Sequence, residues 1–140
     1  MSARDHHTST TLEAALRAAA LGLDPDTAGT ELIISNGAWL RRHDFTTRFI
    51  TRPASGIDGY ELAKIDWAAA IAAIAAINTG QLPCSGGEQR LLRPAASIAG
   101  GIPVSLHDTL PGLDSSNIDL VTAAIRRAAG YPPIGSFTIE

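Results

Sequence analysis

Residues 31–42 read ELIISNGAWLRR, and this stretch decides the predicted fold. The run 31–35 contains β-branched and aliphatic side chains that favour a strand. Asn36-Gly37 follows at once, and this dipeptide is a strong hairpin signal because both central residues of a type I′ turn need a positive φ. Residues 38–42 would be the return strand, so the sequence predicts a β-hairpin here.

More strands are predicted on the C-terminal side of this hairpin. Residues 45–51 read FTTRFIT, which indicates a third strand, and Pro53 ends it because proline cannot donate to a strand ladder. Residues 60–65 suit a fourth strand. The result is a small antiparallel β-meander over about residues 31–65, whose inner face must be covered by helices. The predicted fold class is therefore α+β.

Helices are predicted on both sides of the meander. The spacing of apolar residues predicts a first helix over residues 11–21. Asp66 is the expected N-cap of a second helix, and a start at Asp58 is the alternative. Three further helices are expected in the second half of the chain: one opened by a capping box at Ser85 and kinked at Pro94, one over 104–110, and one after Asp114 with Ile118, Val121, Ile125 and Ala128 on its buried side.

The chain is expected to form a single domain over residues 1–140. Its 140 residues can bury one hydrophobic core without a disulfide or a metal ion. Residues 1–9 are polar and aperiodic, so a mobile N-terminal tail is expected there. Residues 131–140 are a C-terminal tail, in which 136–139 could pair as a strand with this chain or a neighbouring copy.

Composition and charge exclude several classes of protein. A net charge of −3 argues against a generally basic nucleic-acid coat protein. The sequence shows no secretory signal and no apolar run long enough to cross a membrane. Cys84 is the only cysteine, which rules out an intrachain disulfide and favours a reducing compartment. We therefore expect a cytoplasmic protein that does not contact membranes.

One stretch of the chain is strongly basic. Its candidate contact residues for nucleic acid or a protein partner are Arg41, Arg42, His43, Arg48 and Arg52. On a sheet, Arg42, Arg48 and Arg52 have matching parity and would share one face. Two-stranded ribbons can enter a DNA groove, where arginine pairs with guanine or phosphate. The alternative is a solvated outer sheet face, and this alternative is favoured by the acidic total.

A second candidate site lies at the expected start of the helix that follows residue 83. Its reactive or anion-binding residues would be Cys84, Ser85, Gly86 and Gly87. A helix N-terminus can lower the pKa of a cysteine, and His107-Asp108 or His43-Asp44 would then supply a base and its orienting carboxylate. The alternative is a capping box beside a small packed cysteine. No histidine spacing in the sequence fits a zinc site, so no metal is predicted.

Two segments resemble parts of ABC-type ATPases. The run Ser85-Gly86-Gly87-Glu88-Gln89 resembles the signature motif, and His107-Asp108 with 113–117 (LDSSN) resembles a Walker B aspartate and a D-loop. The resemblance implies that Ser85, Gly86 and Gly87 contact a nucleotide held by a partner subunit, with Asp114 as the D-loop aspartate. The sequence contains no G-x-x-x-x-G-K-S/T motif, and Thr109 stands where that family has a catalytic glutamate. No cofactor is therefore predicted.

A second resemblance covers about the last half of the chain. The sequence is similar there to small uncharacterised proteins of actinobacteria and their phages or mobile elements. The similarity rests on Trp67, 80–85, Glu88, 92–93, 95–99, 103–104, 113–114, Asn117 and 123–125. This resemblance implies an accessory or regulatory role and no catalytic residue.

Three functions follow as hypotheses. The first is a non-catalytic interaction or regulatory protein, with an unknown protein partner or a second copy of the chain as its target. The second is a nucleic-acid-binding module that uses the arginine-rich hairpin face. The third is a small thiol- or nucleotide-dependent enzyme centred on Cys84 and Ser85. The first is preferred because no complete catalytic constellation is visible in the sequence.

Overall fold

Helices dominate the protein. A computed structural model describes residues 12–52, 62–75 and 86–131, and 73% of these residues lie in helices. They also contain one antiparallel sheet of two short strands. The fold is compatible with the α+β class but is mostly helical.

Helices make up most of the elements in the described residues. In chain order they are α1 (12–20), α2 (Asp24–Asn36), α3 (His43–Phe49), β1 (Ile50–Thr51), β2 (Lys64–Ile65), α4 (Trp67–Ala75), α5 (Gly86–Gly100), α6 (Leu106–Thr109) and α7 (Ser115–Ala128). A 3₁₀ turn at Leu110–Gly112 joins α6 to α7.

The predicted hairpin over residues 31–42 is wrong. Residues 31–35 belong to α2, which has Pro25 in its first turn, where proline is tolerated because that N–H has no helical partner. Gly37 adopts φ +80° and ends the helix, with its N–H donating to the carbonyl of Ile33 at 3.0 Å. Asn36-Gly37 therefore terminates a helix and does not turn a hairpin. The lower helix propensity of the isoleucines is a few tenths of a kcal/mol each, which burial outweighs.

The predicted strand over residues 45–51 is wrong over most of its length. Residues 43–49 form α3, and only Ile50–Thr51 is extended. Phe45 and Phe49 are four residues apart, a spacing that places them on one face of either a helix or a strand. The structure buries both rings and exposes Thr47 between them, as a helix does.

The sheet is therefore much smaller than the expected meander. Ile50 pairs with Ile65 and Thr51 pairs with Lys64, and the N–H of Asp66 donates to the carbonyl of Phe49 at 2.7 Å. Of the predicted fourth strand, Lys64–Ile65 is observed, and residues 60–61 lie outside the described residues. Because 62–66 are not helical, the alternative helix start at Asp58 is wrong as well.

Three predicted helix ends are confirmed. Gly22 follows α1 with φ +87°. The Asp66 carboxylate accepts a hydrogen bond from the N–H of Ala69 at 3.1 Å, at the start of α4. The Asp114 carboxylate accepts one from the N–H of Asn117 at 2.8 Å, at the start of α7. These caps satisfy amides that the helix itself cannot pair.

The predicted inner face of α7 is only partly correct. Val121 and Ala124 are buried and Ala128 packs against the core, whereas Ile118 is 36% exposed and Ile125 is 56% exposed. At 100° per residue, the two isoleucines lie at the edge of the face that Val121 and Ala124 define. The helix thus buries small residues against α2 and α5 and leaves larger ones at its margin.

Helix α2 is the centre of the packing, because it contacts both α5 and α7. It approaches α5 very closely at Gly29. A Cβ atom on Gly29 would lie 2.5 Å from the Cβ of Ala99 and 2.7 Å from the carbonyl oxygen of Ala95. This crossing therefore requires a glycine opposite two alanines.

An aromatic cluster connects the α2–α3 loop to the rest of the core. The side chain of Trp39 is fully buried, and its Nε1 donates to the carbonyl of Glu88 at 3.1 Å, at the start of α5. Its ring centroid lies 5.0 Å from that of Phe45, which lies 5.8 Å from that of Phe49. These contacts hold α3 against the helical core, and they decide where its charged side chains stand.

Candidate functional site

The basic segment, residues 41–52, is the strongest charge feature in the described part of the chain. It carries four arginines, one histidine and a single aspartate, in a protein whose net charge is −3. The expected arrangement of Arg42, Arg48 and Arg52 on one sheet face is wrong, because residues 43–49 are helical. The cations instead lie before α3, in its last turn and beyond β1.

The Arg42 side chain makes its contacts within the protein. Its Nε and Nη2 donate to the two carboxylate oxygens of Asp44 at 3.0 and 2.6 Å, and Nη1 lies 3.7 Å from Oε2 of Glu88. Its guanidinium carbon also lies 4.9 Å from the centre of the Trp39 ring. The hydrogen bond from Arg42 lowers the pKa of the Asp44 carboxyl. Arg42 thus positions the segment and is a poor candidate for contacting a partner.

The other four predicted contact residues are exposed: Arg41, His43, Arg48 and Arg52. Arg41 lies against the C-terminal end of α2, where a Cβ on Gly37 would be 2.8 Å from its Nη1. A cation is favourable there, because the carbonyl end of a helix carries partial negative charge. The Arg48 guanidinium lies over the Phe49 ring at 4.8 Å, and its side chain is exposed.

Lys64 extends this basic surface, and the sequence reasoning missed it. It is exposed on β2 and pairs with Thr51, the neighbour of Arg52. The predicted fourth strand over residues 60–65 was the signal that could have joined it to residues 41–52, because a meander places that strand beside residues 45–51. The pairing of β1 with β2 brings it to the same place.

The candidate thiol site lies mostly outside the described residues. Cys84 and Ser85 lie outside the described residues, and Gly86 and Gly87 are the first two residues of α5. His107 and Asp108 contact each other at 3.1 Å, with side chains that are 96% and 79% exposed. That pair lies in open solvent.

In the other candidate base and carboxylate, His43-Asp44, the two side chains have different partners. His43 Nε2 lies 3.3 Å from the Thr47 hydroxyl, while the Asp44 carboxylate is held by Arg42. Asp114, which the ABC resemblance assigns to a D-loop, serves here as the cap of α7. Within residues 12–52, 62–75 and 86–131, no three histidine, cysteine, aspartate or glutamate side chains cluster as a metal site would require.

A concave surface between α5 and α6, the α5–α6 cleft, was not predicted from the sequence. It has a volume of about 380 Å³ and lies between α5 and the segment 105–109. Its lining residues are Gln89, Arg90, Arg93, Ser105, Asp108 and Thr109. The spacing of Arg90 and Arg93 on a helix was a usable signal, but the cleft itself depends on how α6 folds back.

Comparison with protein-family models, curated proteins and solved structures found no significant match. The resemblances to ABC-type ATPases and to mobile-element proteins therefore stay predictions. In the described part of the chain, no helix has the length and apolar character needed to span a membrane.

Proposed function

We propose that this chain is a non-catalytic interaction protein that binds an acidic protein surface through the basic segment. The observation that supports this function is that the cations of the basic segment differ in their surroundings. Arg42 is occupied by Asp44, Glu88 and Trp39, whereas Arg41, His43, Arg48 and Arg52 are exposed. The contacts of Arg42 thus fix the start of α3, and the other basic groups of the segment are exposed.

The rigidity of the segment favours binding. Phe45 and Phe49 are buried on the inner side of α3, so His43 and Arg48 sit on a helix that is anchored to the core. Preorganised groups lose little conformational freedom when a partner binds. Arginine on an aromatic ring, as Arg48 lies on Phe49, is further restrained and suits recognition of carboxylates.

The size of the segment favours a protein over a nucleic acid. Helix α3 has seven residues, which corresponds to a length of about 10 Å. A DNA duplex presents a longer line of phosphates, and its outer phosphates would face the acidic remainder of this chain. An acidic patch on a protein can match a short basic surface, and complementary charge mainly raises association rate and specificity.

The test is titration of the full chain with two labelled probes, an aspartate- and glutamate-rich peptide and a short DNA duplex, at low and physiological ionic strength. Fluorescence anisotropy gives both affinities. We expect the acidic peptide to bind more tightly per charge, and its affinity to fall as salt screens the contact. Arg48→Ala with Arg52→Ala should weaken the binding about tenfold, since hydrogen bonds to charged groups are worth that much or more.

Arg17→Ala is the matched control, because Arg17 is an exposed arginine on α1, paired with Glu31 at 2.6 Å. This variant should bind the peptide as the parent does. Equal peptide affinity of the parent and the Arg48/Arg52 variant would overturn the proposal, as would no peptide binding at low salt. Tighter binding of the duplex than of the peptide would replace it with the nucleic-acid alternative.

A further inference from the structure

We propose that the α5–α6 cleft binds a small organic phosphate bearing hydroxyl groups, such as a sugar phosphate. The cleft is separate from the basic segment, and no family or sequence motif suggested it. Its volume of about 380 Å³ falls in the lower range of small-molecule sites.

Two arginines supply the anion-binding charge. Arg90 and Arg93 are three residues apart on α5, so their side chains leave the same face of the helix and are close neighbours. Both are half-buried, and among the described residues no carboxylate pairs with either guanidinium. Two such charges repel each other, and a doubly charged phosphate between them would remove this repulsion. A guanidinium can hold two phosphate oxygens at once.

Arg90 is held in position by the 3₁₀ turn that follows α6. Its side chain lies directly over Gly112 in the 3₁₀ turn, where a Cβ atom would overlap Nε, Cζ and Cδ. Gly112 does not have a positive φ, so its backbone tolerates alanine. The absence of a side chain at residue 112 therefore serves the placement of Arg90, and Gly112 is a positioning residue.

The remaining lining groups suit hydroxyls on the ligand. The Ser105 hydroxyl accepts from the N–H of Asp108 at 3.3 Å, which leaves its own hydrogen available to donate. Thr109 lines the cleft and its hydroxyl donates to the carbonyl of Ser105 at 2.7 Å, so its oxygen can still accept a hydrogen bond. The Asp108 carboxylate at the mouth is a further acceptor. Acceptors beside two cations favour an anion that also carries donors.

The test is isothermal titration calorimetry of the full chain at physiological ionic strength with four probes: ribose 5-phosphate, inorganic phosphate, ribose and succinate. Ribose 5-phosphate should bind most tightly and ribose should not bind. Arg90→Ala and Arg93→Ala should each reduce the affinity for ribose 5-phosphate about 10- to 100-fold, the effect of losing a charged hydrogen bond. Arg93→Lys should restore only part of it, since lysine lacks the bidentate geometry.

Gly112→Ala keeps both arginines and tests their placement. It should weaken ribose 5-phosphate binding at least severalfold while the circular dichroism spectrum stays that of the parent. Arg48→Ala with Arg52→Ala should leave this affinity unchanged, which separates the cleft from the basic segment. The proposal is overturned if no phosphate compound binds, if the arginine variants bind as the parent does, or if succinate binds more tightly than ribose 5-phosphate.

Discussion

Gly29→Ala is the substitution that tests the packing of α2 on α5 most directly. In an exposed helix, replacing glycine with alanine adds about 1 kcal/mol of stability, because alanine loses less backbone freedom on folding. Here the added Cβ would meet Ala99 Cβ at 2.5 Å and the Ala95 carbonyl oxygen at 2.7 Å, where ordinary contact begins at 3.4 Å. Neither neighbour can rotate away, so the helices must separate.

The two effects oppose each other, and the collision is the larger. Overpacking a core typically costs about 1–3 kcal/mol, and a backbone carbonyl as neighbour places this site in the upper part of that range. After the gain in helix propensity is subtracted, we expect a net loss of about 1–2 kcal/mol. For a chain of this length that loss lowers the melting temperature by about 3–8 °C.

The assay is urea unfolding followed by far-ultraviolet circular dichroism, with Ser35→Ala in the exposed part of α2 as the control. The control should stay within about 0.5 kcal/mol of the parent. Adding Ala99→Gly to Gly29→Ala removes one collision, so the pair should show a favourable coupling of about 1 kcal/mol. If Gly29→Ala instead stabilises the protein by the propensity value, the close crossing of α2 and α5 is refuted.

Three further predictions concern charged side chains. Arg42→Ala should destabilise the protein by about 1–2 kcal/mol, since it leaves Asp44 unpaired, whereas Arg41→Ala should change the free energy of unfolding by less than about 0.5 kcal/mol in urea titrations. Because the pKa of Asp44 is lowered, its ionised form stabilises the fold at pH values above the ordinary pKa of aspartate. This stabilisation is lost as the pH falls through the lowered pKa. Asp44→Asn should therefore differ from the parent at neutral pH and approach it in acid, and a constant difference across the pH series would contradict this account. Asp114→Ala should lower the free energy of unfolding by about 1 kcal/mol, because it removes the α7 cap. In thermal melts, Asp119→Ala, in the body of α7, should destabilise the protein clearly less. Equal destabilisation by the two variants would argue against the cap.

The sequence predicted the helices of the second half well, because their ends carry explicit signals. Asp66 and Asp114 are caps recognisable from residue type, and Gly101 ends α5 with φ +69°. These signals act over three or four residues and need no knowledge of the remaining fold. Their success explains why the starts of α4 and α7 were placed correctly.

The strands predicted over residues 31–42 and 45–51 were wrong because the sequence signals there fit two structures. Asn36-Gly37 offers a positive φ, which both a hairpin turn and a helix C-terminus require, and Phe45 and Phe49 share a face in either structure. The packing partners decide between these meanings: α2 packs against α5 and α7, and α3 packs against α4. The same holds for the candidate site. Its basic residues were identified from the sequence, but their arrangement depends on tertiary contacts, as does the α5–α6 cleft.

The buried indole of Trp39 gives the protein an internal optical reporter. Its Nε1 is tied to the first turns of α5, and Arg42 lies over its ring, so its emission senses both the basic segment and the helix that lines the cleft. Trp67, the other tryptophan, is half-buried and can be replaced by phenylalanine to isolate this signal. Occupancy of either surface then becomes readable from fluorescence without any attached dye.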